Sequence, residues 1–117
     1  MLNVDYVTKT FGSVTAVKDL SFTANAPQVI GIIGRSGAGK STFLRMMNRM
    51  TDASGGRIVV DGVDVLALKG RAKADWQRSC AMIFQQFNLV PRLDVITNVI
   101  LGRLNQQSVM RSSLMFF

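Results

Sequence analysis

Near the start of the chain Val4, Tyr6 and Thr8 alternate with Asp5 and Val7, and further on Leu20, Phe22 and Ala24 alternate with Ser21 and Thr23. A period of two sends successive side chains to opposite faces of a pleated strand, so the pattern predicts two strands of an opening sheet with Phe11 and Gly12 in the turn between them. Val29, Ile30, Gly31, Ile32 and Ile33 then form an uninterrupted apolar run, the pattern of a short strand buried on both faces in a parallel sheet. From residue 41 to 50 the period changes. Phe43, Leu44, Met47 and Met50 recur at helical spacing, with Arg45, Asn48 and Arg49 on the other side, which predicts an amphipathic helix. Ser54, Gly55 and Gly56 read as a turn, Arg57 to Val60 as a strand, and Asp61 with Gly62 as a second tight turn. A basic helix is expected from Ala67 to Gln77, and another apolar strand from Cys80 to Phe84. Gln85 to Pro91 fit neither period and read as a loop. Asp94 is placed to cap a helix whose residues Val95, Ile96, Val99 and Ile100 are expected to face inward and which ends near Gly102. Past it the pattern fades into a tail that closes on Leu114, Met115, Phe116 and Phe117.

Between the apolar run and the first helix stand Gly34, Arg35, Ser36, Gly37, Ala38, Gly39, Lys40, Ser41 and Thr42. Glycine, four residues, glycine, lysine and a hydroxyl residue is the spacing of a loop that cradles phosphates. Each position has a chemical reason. The glycines let the backbone turn tightly and bring successive N–H groups to face phosphate oxygens. Lys40 supplies a point charge within reach of the β- and γ-phosphates, and the Ser41 hydroxyl suits a Mg²⁺ ligand. A helix beginning here would also direct its positive end, roughly half an elementary charge, at the same anion. The plainer alternative is a flexible Gly/Ser turn, but the flanking strand and helix patterns favour the phosphate loop.

The 117 residues suffice for one small domain, and 48% hydrophobic with 18% charged residues is a globular balance. No run approaches the length of about 18 apolar residues that spans a membrane, and Met1 to Asp5 lack the order of a secretion signal, so a cytoplasmic location is expected. The single cysteine, Cys80, gives no disulfide framework and reads as a core residue. The net charge of +7 comes from 14 scattered basic residues rather than a basic block, which argues against nucleic acid as a partner. All seven acidic residues are aspartates and there is no histidine. A mechanism that needs a catalytic glutamate or a histidine is therefore incomplete within these residues.

The aromatic turn, the phosphate loop and the run Met82, Ile83, Phe84, Gln85, Gln86, Phe87, Asn88 and Leu89 together resemble the ATP-binding subunit of an ABC transporter. The resemblance covers nearly the whole chain, runs closest to bacterial importers, and from Phe84 to Leu104 is similar to the phosphonate-import branch. It implies an α/β fold: a P-loop NTPase core with an N-terminal antiparallel β-subdomain, truncated before the helical subdomain and the strand ending in Asp-Glu. Residues 1–30 and 54–66 would be largely β-subdomain, 31–53 and 80–102 phosphate-loop core and glutamine loop, and 103–117 a tail. By the same resemblance Phe11 stacks on adenine, although an ordinary turn aromatic packed on the sheet would look alike in sequence. Gln85 would touch Mg²⁺ or the attacking water, with Gln86 the alternative one residue on. ATP would be held by Phe11, Gly34, Ser36, Gly37, Ala38, Gly39, Lys40, Ser41 and Thr42, Mg²⁺ by Ser41 and Gln85, and Lys40 and Gln85 would act in catalysis. Phe87 to Leu101 resembles the surface on which a permease helix rests.

The chain also departs from the family pattern. Pro27 and Gln28 replace a common Gly-Glu pair, and Thr97 stands where a capping glutamate is usual. No Leu-Ser-Gly-Gly-Gln segment and no switch histidine occur. The resemblance implies a membrane permease and a second ATP-binding subunit as partners, with the protein peripheral at the inner face of the membrane. Efficient hydrolysis is not expected of these residues alone. Two other readings remain at this point: a non-enzymatic fragment that modulates an intact ATPase subunit, and a small-molecule kinase outside transport.

Overall fold

The computed structural model describes residues 1–86 and 88–102, so the tail from Arg103 and the position of Phe87 lie outside the described residues. The chain divides into two compact units, Met1–Met82 and Ile83–Phe117.

In the first unit, β1 (Leu2–Phe11) and β2 (Val14–Ala24) form the antiparallel pair expected from the alternation, with Phe11 opposite Val14. Phe11 is the last residue of β1 rather than part of the turn, and Gly12 takes the left-handed turn conformation at φ 57°. The pairing is irregular. Register shifts fall between Val4 and Val7, and Tyr6 and Asp19 are themselves left-handed. A bulge costs ladder bonds, and side chains replace them here: the Tyr6 amide donates to Ser21 Oγ at 2.8 Å and the Asp19 amide to Thr8 Oγ1 at 3.0 Å.

β3 (Gly55–Val60) joins the other edge of β1, and β4 (Val63–Asp64) extends the sheet, giving the order β2-β1-β3-β4 among the described residues. Asp61 and Gly62, both at positive φ (47° and 83°), form the two-residue turn between β3 and β4, as their sequence suggested. Gly55 and Gly56 belong to β3 instead of a turn. Gly56 is needed there because a Cβ on it would stand 2.5 Å from the Tyr6 carbonyl oxygen, at the bulge of β1.

Helix α1 (Lys40–Met47) packs on this sheet through Phe43 and Met46, both buried, with Met47 partly so. The expected face is rotated, since Leu44 and Met50 are 47% and 55% exposed. Both spacings satisfy a 3.6-residue period, and contact with the sheet decides between them. Phe43 meets Phe22 edge to face at 5.9 Å, and Val4, Val7, Val17, Ile58 and Val65 complete the buried cluster.

Helix α2 (Gly70–Ser79) starts and ends later than the sequence pattern suggested and is tied to the end of α1: Trp76 Nε1 donates to the Met47 carbonyl at 2.8 Å. Two expected strands do not form. Residues 29–33 and 80–84 carry no strand ladder, and Val29 and Ile33 are almost fully exposed. An apolar run of this kind is stable as a strand only when other strands satisfy both its edges. No such neighbour occurs among the described residues, so the pattern alone was not enough. Cys80 is accordingly a half-buried cap residue after α2 rather than part of a strand.

In the second unit, α3 (Val95–Leu101) is capped as predicted, the Thr97 amide donating to Asp94 Oδ1 at 2.7 Å. Its apolar residues do not all face inward: Val95, Ile96 and Val99 are 78%, 72% and 68% exposed.

Candidate nucleotide site

The loop between Gly34 and α1 has the backbone geometry its glycines permit. Gly37 and Gly39 sit at φ 79° and 80°, a region that L side chains occupy only under strain. The Ala38 amide closes a turn onto the Arg35 carbonyl at 3.2 Å, and the Phe43 amide makes the first helical bond to Gly39. Space at Gly34 is tight, since a Cβ there would stand 3.2 Å from Ala38 Cβ and 3.7 Å from the Lys40 stem.

Gly39 has a second constraint. A Cβ on it would fall 2.1 Å from the Ala16 carbonyl oxygen and 2.9 Å from Val17 Cγ2, so the loop is seated directly on β2. Helix α1 begins at Lys40 with no side-chain cap and no acidic residue in its first turn. Its first amides therefore have no intrahelical acceptor, and no acidic side chain of its own first turn offsets its positive end. Lys40 Nζ donates to the carbonyls of Gly34 (2.7 Å) and Arg35 (2.6 Å), which holds the ammonium across the loop. Ser36, Gly37, Ala38 and Ser41 are exposed and Thr42 partly so. The arrangement can receive an anion with several oxygens.

Phe11 is in the same unit, 51% exposed, with Lys9 Nζ 4.7 Å from its ring centroid. Nothing in the sequence drew attention to Lys9. β2 links ring and loop: Val14 pairs with Phe11, and Ala16 and Val17 touch Gly39. Phe11 and the residues from Gly34 to Thr42 belong to the first unit and are linked through β2, and Gln85 is exposed at a bend of the second unit.

Arg49 also escaped the sequence reading, where it was placed on a solvent face. It is 7% exposed and left-handed at φ 62°. Its Nη1 donates to the carbonyls of Val65 (2.9 Å) and Leu66, and its Nη2 to Asp52 Oδ1 (3.1 Å) and the Leu68 carbonyl (3.4 Å). Gln77 Nε2 returns a bond to the Arg49 carbonyl at 2.9 Å. This side chain fixes the end of the helix whose beginning forms the loop. The Lys73 ammonium, reinforced by its hydrogen bond and then by Arg49, holds Asp52 below the ordinary carboxylate value of 3.8. A cavity of about 260 Å³ is lined by Arg49, Asp52, Ala53, Ser54, Gly55, Gly56 and Leu66, and shares no residue with the phosphate loop.

In the second unit Asn98 was likewise unremarked. It accepts from the Val90 amide at 2.8 Å and donates to the carbonyls of Val90, Leu93 and Asp94, shaping the approach to α3. No helix among the described residues is long and apolar enough to cross a membrane.

A family model described as "ABC transporter" matches residues 17–115. Over all 117 residues the chain is 58% identical to a phosphonates import ATP-binding protein, PhnC, of Rhizobium meliloti, and it spans 42% of that protein's length. Over 102 residues it is 60% identical to the PhnC of Agrobacterium fabrum, covering 87% of this chain and 36% of that protein. Among solved structures, the dimeric post-hydrolysis state of the ATP-binding cassette MJ0796 with ADP and Pi superposes with a TM-score of 0.77 at 28% identity, over 92% of this chain and 48% of that one.

Proposed function

The chain belongs to the ABC transporter family, and from that membership and the seating of its glycine loop we propose that it forms the nucleotide-holding part of an ATP-binding subunit that couples ATP hydrolysis to phosphonate import. Its fold is that of a P-loop ATPase cassette, over the portion of the cassette that it spans. In this reading residues 1–30 and 54–66 make up most of the β-subdomain, and residues 31–53 and 80–102 the phosphate-loop core and glutamine loop. The observation that carries the proposal is the loop itself: an uncapped helix start, two left-handed glycines and a lysine ammonium held across them, all seated on β2 by Gly39.

ATP approaching this loop replaces the Gly34 and Arg35 carbonyls as the partner of Lys40. The exchange favours phosphate, because a hydrogen bond between two ionised groups is roughly twice as strong as a neutral one. The free amides at the start of α1 take the neighbouring phosphate oxygens. Adenine stacks on the exposed ring of Phe11, a contact worth about 1–3 kcal/mol that asks for no exact hydrogen-bond match.

Ser41 is the residue of the loop that fits Mg²⁺. No group of three His, Cys, Asp or Glu gathers among the described residues, which suits an ion held through nucleotide phosphates and water rather than in a protein cage. When bound, the ion supplies charge neutralisation to the β- and γ-oxygens. Gln85 is the other proposed ligand and would also orient the attacking water, its amide being both acceptor and donor.

With no glutamate and no histidine in the sequence, these residues hold ATP and cleave it slowly. Absence of general-base help alone accounts for a loss of about 10²–10⁴ in rate. The relatives' remaining length, together with a second ATP-binding subunit and a permease, would complete the machine at the inner face of the membrane. The exposed Val95, Ile96 and Val99 on α3 support the permease-facing role, since a helix capped but left apolar to solvent suits a partner surface.

The test is equilibrium binding of MgATP to the chain and to Lys40→Ala. Loss of a charge-assisted bond of about 1.5–3 kcal/mol should weaken binding about 10- to 150-fold. Equal binding by both proteins would overturn the assignment of the loop.

A further inference from the structure

The ammonium of Lys9 lies 4.7 Å from the centroid of the Phe11 ring. A cation at this distance is attracted by the negative face of the ring, and it occupies that face. About half of the Phe11 surface, 51%, stays open to solvent. The carboxylates that form ion pairs among the described residues are those of Asp5, Asp52, Asp61 and Asp75, and none of them pairs with Lys9. The ring is therefore the close contact of this ammonium, whose charge reaches Asp52 only at longer range, as the least of the influences that lower that carboxylate.

Lys9 and Phe11 are also placed with respect to the phosphate loop. Lys9 lies opposite Val17 and Phe11 opposite Val14 on β2, and the same stretch of β2, at Ala16 and Val17, is where Gly39 makes its closest approach. The short run Val14 to Val17 thus borders both the strand that carries the aromatic ring and the phosphate loop. A ring free to rotate about its side-chain torsions would lose part of that registration, and the ammonium on one face restricts it.

Resting on the reading that Phe11 stacks a base, we propose that Lys9 is a positioning residue of the nucleotide site: its ammonium holds one face of the Phe11 ring so that adenine takes the other. The role is indirect. Lys9 acts through the ring and not on the phosphates, and this separates the proposal from a general attraction of anions to a basic surface.

The experiment is a double-mutant cycle with Lys9→Met, which keeps the aliphatic stem and removes the charge, and Phe11→Ala. Binding of ATP and of inorganic tripolyphosphate is measured for the whole chain and the three variants. In the presence of Phe11, Lys9→Met should weaken ATP binding about two- to five-fold, the range for an exposed cation–π contact. In the Phe11→Ala background it should change nothing, and tripolyphosphate binding should be the same with and without the lysine. Equal weakening in both backgrounds, or weaker tripolyphosphate binding, would overturn the proposal in favour of direct charge attraction. No weakening by Lys9→Met while Phe11→Ala still costs affinity would overturn the role of Lys9 and leave the base platform standing. If Phe11→Ala itself costs nothing, the platform reading falls and this inference with it.

Discussion

Gly37 and Gly39 differ in one respect that makes them a controlled pair. Their φ angles are 79° and 80°, so an alanine at either suffers the same backbone penalty, about 1–2 kcal/mol for an L-residue in the left-handed region. A Cβ at Gly37 meets nothing within 4 Å, whereas at Gly39 it meets the Ala16 carbonyl oxygen at 2.1 Å. That neighbour is backbone of β2 and cannot rotate away. Either the loop lifts off the strand or β2 distorts, and overpacking of this kind adds about 1–3 kcal/mol. Gly37→Ala should therefore cost about 1–2 kcal/mol and Gly39→Ala about 2–5 kcal/mol, the latter a large part of the 5–15 kcal/mol typical of a domain. Urea unfolding followed by circular dichroism reads the difference as a gap between the two midpoints of about 1 M. ATP binding should fall further in Gly39→Ala at protein concentrations where both variants are folded, because the loop has left its seat. Coincident unfolding curves for the two variants would refute the claim that the loop is anchored on β2.

Arg49 and Asp52 give two further expectations. Replacing Arg49 with Met leaves the carbonyls of Val65, Leu66 and Leu68 without their donor and should lower unfolding stability by about 1–3 kcal/mol; a loss below about 1 kcal/mol would show that the guanidinium is not the clamp at the end of α1. For Asp52 the sign follows from a folded-state pKa lowered chiefly by Lys73: the stabilisation is present above the unfolded value of 3.8 and is lost as pH falls through the lower folded value. Acid unfolding scans of the chain and of Asp52→Asn should therefore separate above the unfolded value of 3.8 and draw together as pH falls below it, with equal separation at all pH values counting against the pairing.

What could be read from the sequence follows a physical division. Local devices were legible because they need only neighbours in the chain: the alternation that makes β1 and β2, the Asp61–Gly62 turn, the Asp94 cap, and the glycine and lysine spacing of the loop. Devices that depend on distant partners were not. Val29 to Ile33 carries the pattern of a buried strand, but a pattern cannot supply the flanking ladders, and the segment is found without them. The inward face of α1 was ambiguous between two sets of apolar residues until Phe22 met Phe43. Arg49 read as a surface charge because sequence shows a residue's polarity and not the three carbonyls that await it. Lys9 could have been suspected from its spacing of two before an aromatic on a strand, a signal too common to act on without the ring contact.

These divisions bear on how the loop keeps its shape. In a phosphate loop fed by a buried strand, two supports are available: the strand behind and the helix ahead. Here the residues behind the loop are exposed and outside any ladder, so the order of Gly34 to Lys40 has to come from the other side. Three contacts supply it. Gly39 rests on β2, Phe43 and Met46 bury the first turns of α1 in the sheet, and Arg49 locks the far end of the helix to the segment after β4. The left-handed glycines are thus imposed from the helix and from β2, and their geometry does not require the strand at 29–33 to form. On the proposed reading of the loop, anion capture would then be separable from pairing of the run at 29–33, because the contacts that shape the loop do not include that run. The contacts that shape Gly34 to Lys40 all lie within Met1–Met82.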